Sequence, residues 1–342
     1  MTVAAPFAQL AKRIEAGEHK ALSGGISLVE NRAEGFERLL EHVAHLSGKA
    51  RRIGVTGPPG AGKSTLVKVL TEGWLDQGLR VGVLAVDPSS PYTRGALLGD
   101  RIRLGDLAMR DGLFVRSMAS RGSAGGLSNA ASDAADLLDA HGCDRIVIET
   151  LGVGQQEIDI ASSADTVVVV LVPESGDGIQ AMKAGLMEAA DVFVVNKADR
   201  PGADKLEKEL AVMLSIRARL TGSLPGGAPT STSTAGGVAG GEDPANRWAT
   251  PVVRTSALNG DGVEDLDAAL TDHRAWLVST GTLDSVREER RAHRTREALR
   301  RQALRAADRI WEDSPGVFRG ETPHAAARRL WQQVARTAQC NP

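Results

Sequence analysis

Nine consecutive residues, Gly57-Pro58-Pro59-Gly60-Ala61-Gly62-Lys63-Ser64-Thr65, have the types and spacing to hold a polyphosphate. They fit the pattern G-x-x-x-x-G-K-[ST] in full. Gly57, Gly60 and Gly62 permit positive φ and let backbone N–H groups approach phosphate oxygens, with Pro58 and Ala61 completing the cradle. Lys63 is placed to reach the β- and γ-phosphates. Ser64 is placed to ligate Mg²⁺ through its hydroxyl, and Thr65 follows it. Leu66, Leu70 and Trp74 continue with helical spacing, so a helix N-terminus should add partial positive charge beneath the phosphates.

Acidic residues at the ends of apolar runs supply the metal side of such a site. Arg145-Ile146-Val147-Ile148-Glu149 reads as a strand ending in a carboxylate, at the place where phosphate-loop proteins carry a metal-site acid, commonly Asp. Gly152, just past Glu149 in Thr150-Leu151-Gly152-Val153-Gly154-Gln155, can offer its amide to a γ-phosphate and so sense hydrolysis. Asp87 ends a second apolar run; it reads either as a turn cap or, beside a phosphate loop, as a group near Mg²⁺. Asp100 is on spacing alone an ordinary loop residue.

Asn196-Lys197-Ala198-Asp199 follows the run Val192–Val195, about 130 residues after the phosphate loop, and fits N-K-x-D. The Asp199 carboxylate can accept two hydrogen bonds, from guanine N1–H and the 2-amino group. Adenine lacks that amino group and presents a lone pair at N1, which a buried carboxylate rejects. The Lys197 stem can lie along the base, and Asn196 can tie this loop to the phosphate loop. Ser256-Ala257, after the next apolar run, can offer a backbone amide to guanine O6.

These residues need a scaffold that gathers them at one edge. Arg52–Thr56, Val81–Val86, Arg145–Glu149, Thr166–Val172, Val192–Asn196 and Val252–Thr255 read as strands, several apolar throughout, alternating with helical patterns. That alternation predicts an α/β fold, a doubly wound and mostly parallel sheet flanked by helices, which binds ligands at the carboxyl ends of its strands. The predicted domain organisation is 1–50, an N-terminal helical segment; 51–280, the nucleotide domain; and 281–342, a C-terminal helical arm. In the first, Ser27 and Glu30 have capping-box spacing, and Phe36, Leu39, Leu40, Val43 and Leu46 recur at helical spacing. Thr221–Gly241, rich in Gly, Ser, Thr, Ala and Pro, predicts a flexible surface insertion. From Arg287 to Arg309 there are nine Arg against four acidic residues; Leu299, Ala303, Ala307 and Ile310 form a narrow apolar face on this basic helix. It suits packing on its own domain or binding a second chain.

The 342 residues carry a formal net charge of −2, which disfavours a dedicated nucleic-acid binder. The longest strongly apolar run, Thr166–Val172, falls well short of the ~20 residues a bilayer requires. No basic stretch precedes an apolar one at the N-terminus, so no signal peptide is expected. Cys143 and Cys340 form no CxxC pair and fit a reducing, cytoplasmic setting.

The chain resembles the MeaB-type GTPases, also called ArgK-type, to which the methylmalonic aciduria type A protein belongs. The resemblance extends beyond generic nucleotide motifs to Ala21–Asn31, Val86–Leu104, Arg116–Gly126, Glu149–Glu157 and Pro173–Gly185. It implies that Asp87, Asp100 and Glu149 are metal-site acids. It also implies that about Ser175 to Lys183 is a mobile loop relaying nucleotide state, with Lys183 functional. Proteins of this kind use GTP hydrolysis to gate adenosylcobalamin loading and protection at an acyl-CoA mutase, and their C-terminal arm usually builds a homodimer. The sequence departs from the family pattern at Thr93-Arg94-Gly95, at Gly176-Asp177-Gly178 and in the length of the 221–241 insertion.

The resulting expectation is a GTP/GDP switch with Mg²⁺, in which Lys63, Glu149, Asp87, Gln155 and Lys183 carry the chemistry. No self-sufficient base or arginine finger stands out; Gln155, Gln156, Lys183 and Arg94 are candidates, so turnover should be slow and accelerated by a partner. Two other classes remain open. A nickel metallochaperone GTPase would carry clustered Cys or His, whereas the seven His here are scattered. A P-loop kinase would pass the γ-phosphate to an acceptor, but such enzymes commonly use ATP, against the N-K-x-D pattern.

Overall fold

The computed structural model describes residues 5–87, 105–119, 126–150, 163–174, 184–220, 247–314 and 322–339. The chain divides into two compact units, Met1–Leu283 and Asp284–Pro342.

Unit one is built on seven strands: β1 (Arg51–Thr56), β2 (Val81–Asp87), β3 (Leu113–Ala119), β4 (Arg145–Thr150), β5 (Thr166–Leu171), β6 (Val192–Val195) and β7 (Val252–Arg254). They pair in the order β3-β2-β4-β1-β5-β6-β7, every pair parallel. The α/β fold read from the sequence is the fold observed. Its central strands are apolar on both faces because helices cover both. On one face α4 (Lys63–Asp76) and α8 (Val263–Ser279) pack over Ile53, Val55, Val83, Val168 and Val194. On the other, α1 (Ala5–Glu15), α2 (His19–Asn31), α3 (Phe36–Val43) and α5 (Gly126–Ala140) cover Leu84, Val86, Ile146 and Ile148. The same face, beyond β1, is covered by α6 (Ala184–Ala189) and α7 (Ala203–Leu220) over Val167, Val169, Phe193 and Val195.

Two differences from the sequence reading have local causes. Ser27 and Glu30 do not form a capping box. They lie inside α2, whose N-cap is Glu18, and Ser27 Oγ instead donates back to the Ser23 carbonyl at 3.0 Å. Capping-box spacing is also the spacing of one helix face, and here both side chains reach a neighbouring strand. That strand, β3, is absent from the sequence reading because Arg116 and Ser117 interrupt its apolar run. It is an edge strand, where polar residues are tolerated.

Unit two comprises most of α9 (Thr282–Glu312) and all of α10 (Pro323–Gln339). Along α9, Ala303, Ala307 and Ile310 are half-buried, while Leu299 is 65% exposed; Leu304, Trp311 and Trp331 are also exposed. The 221–241 insertion lies outside the described residues. No described helix is long and apolar enough to cross a membrane.

Candidate nucleotide site

The β1–α4 loop takes the shape its glycines permit. Gly57 and Gly62 have φ of +139° and +85°. A Cβ on Gly57 would collide with the Val170 carbonyl, and one on Gly62 with the Asn196 side-chain amide. Both positions therefore need glycine for space as well as for dihedral angle. Gly62 caps α4, so Lys63, Ser64 and Thr65 form its first turn, the end of a helix that carries partial positive charge. Lys63 is buried, and its Nζ donates to the carbonyls of Gly57 (2.7 Å) and Pro58 (3.0 Å). The cation is thus held at the mouth of the loop, within a side-chain swing of whatever the loop's amides bind.

Glu149 stands on β4 beside β1, in register with Val55, and its carboxylate Oε1 accepts from Ser64 Oγ at 2.5 Å. Next to it the Thr150 hydroxyl donates to that of Thr56 at 3.1 Å, joining the two strand ends. Asp87 closes β2, where Val86 is in register with Thr150. The ends of β1, β4 and β2 lie side by side, so Ser64, in the helix that follows β1, and Glu149 stand at the edge where Asp87 ends β2. A hydroxyl and carboxylates are the hard oxygen donors that Mg²⁺ takes, so the residues present fit that ion. Asp100, Gly152, Gln155 and Lys183, named from the sequence, lie outside the described residues.

The loops after β6 and β7 are tied to the β1–α4 loop by side chains, chiefly that of Asn196. Asn196, buried just after β6, donates from Nδ2 to the Ala61 carbonyl (2.8 Å). Its Oδ1 accepts from Thr255 Oγ1 and from the Ala257 amide, both at 3.1 Å. Lys197 adopts φ of +57°, unusual without glycine, and its Nζ donates to the Gly60 carbonyl at 2.8 Å. Asp199 is exposed, and Oδ1 accepts from Ser256 Oγ at 2.7 Å. That hydroxyl, then Asp199's own backbone amide, holds the carboxyl below its usual range, so it stays an acceptor. The Ser256 amide donates to the Asp261 carbonyl, closing the turn that Gly262 completes. The Ser256 and Ala257 amides both therefore have partners within the protein.

Sequence reasoning missed Thr255, which braces Asn196, and the Arg200–Glu174 pair (2.5 Å) joining the chain just after β6 to that just after β5. Thr255 carried a signal, since it directly precedes Ser256-Ala257. The ion pair carried none, because nothing in the sequence indicates that two exposed side chains 26 residues apart meet.

A family model described as methylmalonyl-CoA mutase-associated GTPase MeaB matches residues 22–311. A putative GTPase of Pyrococcus horikoshii is 44% identical over 285 residues, covering 83% of each chain. GTPase ArgK of Escherichia coli is 33% identical over 304 residues, 88% of this chain and 86% of that one. The mitochondrial methylmalonic aciduria type A homolog of Mus musculus is 30% identical over 289 residues, 80% of this chain and 64% of that one. Among solved structures, one described as a LAO/AO transport system kinase aligns with a TM-score of 0.66 at 25% identity, over 99% of both chains.

Proposed function

The chain belongs to the MeaB family of GTPases, and from that membership we propose that it hydrolyses GTP to gate adenosylcobalamin loading, and to protect the loaded cofactor, at a B12-dependent acyl-CoA mutase, methylmalonyl-CoA mutase or a relative. GTP hydrolysis itself follows from the family. The observation that carries the mutase reading is the extent of the family match, which takes in most of α2, all of α3, the nucleotide site and nearly all of α9. A match confined to the phosphate and guanine motifs would carry only nucleotide hydrolysis.

In this reading Gly57–Thr65 cradle the phosphates, and Lys63 places its charge against the β- and γ-oxygens. Asp199 selects guanine, and Asn196 keeps the base loop at a fixed distance from the cradle. Ser64 and Glu149, with Asp87 and Asp100, would hold Mg²⁺, which when bound offsets charge on the phosphate oxygens. Gly152 would sense the γ-phosphate, while Gln155 and Lys183 would orient water or supply charge. Residues 281–342 would form the homodimer arm of a cytoplasmic protein.

The test is GTP turnover by the purified protein, alone and with an adenosylcobalamin-dependent acyl-CoA mutase from the same organism. Acceleration, by up to ~10³–10⁵-fold if the mutase completes the charge arrangement, supports the proposal. Turnover unchanged by every such mutase overturns the partner. A kinase reading draws on the likeness to the structure described as a LAO/AO transport system kinase. It requires labelled γ-phosphate to appear on an acceptor rather than as free phosphate.

A further inference from the structure

Ser27, Glu30 and Arg116 fall in two of the segments that set this chain apart from generic GTPases, yet none has a place in the nucleotide site. The fold brings them together. Arg116 Nη2 donates to Glu30 Oε2 at 2.6 Å and to Ser27 Oγ at 3.1 Å. The ion pair is largely withdrawn from water, with the two side chains 14% and 8% exposed. Arg116 Nε is buried and has no hydrogen-bond partner among the described residues.

Such a pair is a poor device for stability. Burying both charges costs several kcal/mol, and a guanidinium with an open donor recovers that cost incompletely. Apolar side chains of similar volume would stabilise the contact at least as well. What the pair does supply is a fixed length and direction between α2 and β3. At one end, α2 is bedded on rigid neighbours: Gly25 lies so close to Ile14, Leu39 and Leu137 that an added Cβ would sit 3.0–3.4 Å from each. At the other end, β3 is the edge strand of the sheet and, among the described residues, pairs only with β2. Its register runs from Leu113 opposite Val81, through Arg116 opposite Leu84, to Ala119 opposite Asp87. An edge strand held from one side would slide or twist most easily at its free side. Any such movement passes along the ladder to the strand end that carries Asp87.

We propose that Glu30 and Arg116 are positioning residues: their ion pair clamps the β3–β2 edge against α2 and so fixes the end of β2 that carries Asp87 relative to the end of β4 that carries Glu149, at the metal side of the nucleotide site. This rests on the reading of Asp87 as a metal-site acid.

The test is a paired apolar variant, Glu30→Leu with Arg116→Met, in the full chain. The readouts are its thermal midpoint and the Mg²⁺ dependence of release of a fluorescent GDP analogue. The expected result is a midpoint at or above that of the wild type, with the slowing of release by Mg²⁺ reduced at least five-fold. Glu30→Gln alone should raise the Mg²⁺ concentration for half-maximal slowing at least three-fold. The exchanged pair, Glu30→Arg with Arg116→Glu, should recover part of the wild-type response. Folded variants whose release responds to Mg²⁺ as the wild type does would overturn the clamp. A wild type whose release ignores Mg²⁺ would overturn the metal reading of Asp87 and the clamp with it.

Discussion

The side-chain amide of Asn196 donates to the carbonyl of Ala61 at 2.8 Å, so the N-K-x-D loop after β6 is bonded directly to the glycine-rich loop between β1 and α4. Asn196 Oδ1 simultaneously gathers Thr255 and Ala257 from the third loop of the site. One buried amide therefore ties its own loop to two others, at Ala61, 135 residues earlier, and at Ala257, 61 residues later. Glycine at position 62 leaves room for it, since a Cβ there would strike Nδ2.

Asn196→Ala removes three hydrogen bonds and leaves the Ala61 carbonyl and the Ala257 amide without this partner. Each unsatisfied buried group costs about 1–3 kcal/mol. Some of that falls on stability and some on the preorganised spacing. GTP and GDP affinity should fall about 10–100-fold, read by titration of a fluorescent analogue. Unaltered affinity in a folded variant would mean that the loops hold their spacing without Asn196.

Lys63→Ala removes the cation at the mouth of the phosphate loop. Hydrolysis should be lost. The effect on folding should be modest, because both of the bonds reported for Nζ are to carbonyls of its own loop. Phosphate release in single turnover measures the first, and the thermal midpoint the second. Normal turnover would overturn the assignment of the site.

Away from the site, Asp191 predicts a pH dependence. Burial pushes its carboxyl up to about 7, against the pull of the Val167 amide and Arg217. The folded value lies above the unfolded one, so the folded state favours the protonated form. That contribution is present below about pH 4 and is lost as pH rises toward 7. Its neighbour His273, 3.5 Å away, is pushed down to about 4 by burial, so the pair gains no offsetting positive charge near neutrality. Asp191→Asn should therefore gain stability over the wild type as pH rises from 4 to 7 and hold that gain above 7. About 1–2 kcal/mol is expected, since the Asp191 side chain keeps 30% exposure to water. Parallel denaturation curves of the two proteins at pH 5 and pH 8 check it; a difference that does not grow with pH would count against the buried carboxylate.

The sequence by itself determined the α/β class, six of the seven strands described, and where the glycine-rich and N-K-x-D loops lie between them. Those features are local: strand ends, glycine positions and the N-K-x-D spacing report backbone geometry that neighbouring residues impose. Gly57 and Gly62 were legible because few other residues reach their dihedral angles, and Asp199 because it completes the N-K-x-D spacing just after a strand. Tertiary structure decided what each side chain meets. Nothing in the spacing of Ser27 and Glu30 separated a helix cap from a helix face; packing of α2 beside β3 made that choice. Thr255, Arg200 and Glu174 entered the neighbourhood of the site only when parallel strands were laid side by side, since a parallel sheet joins residues through its order and register. β3 stayed hidden for the same reason: Arg116 breaks its apolar pattern, and Glu30, 86 residues earlier, supplies the opposite charge it meets among the described residues.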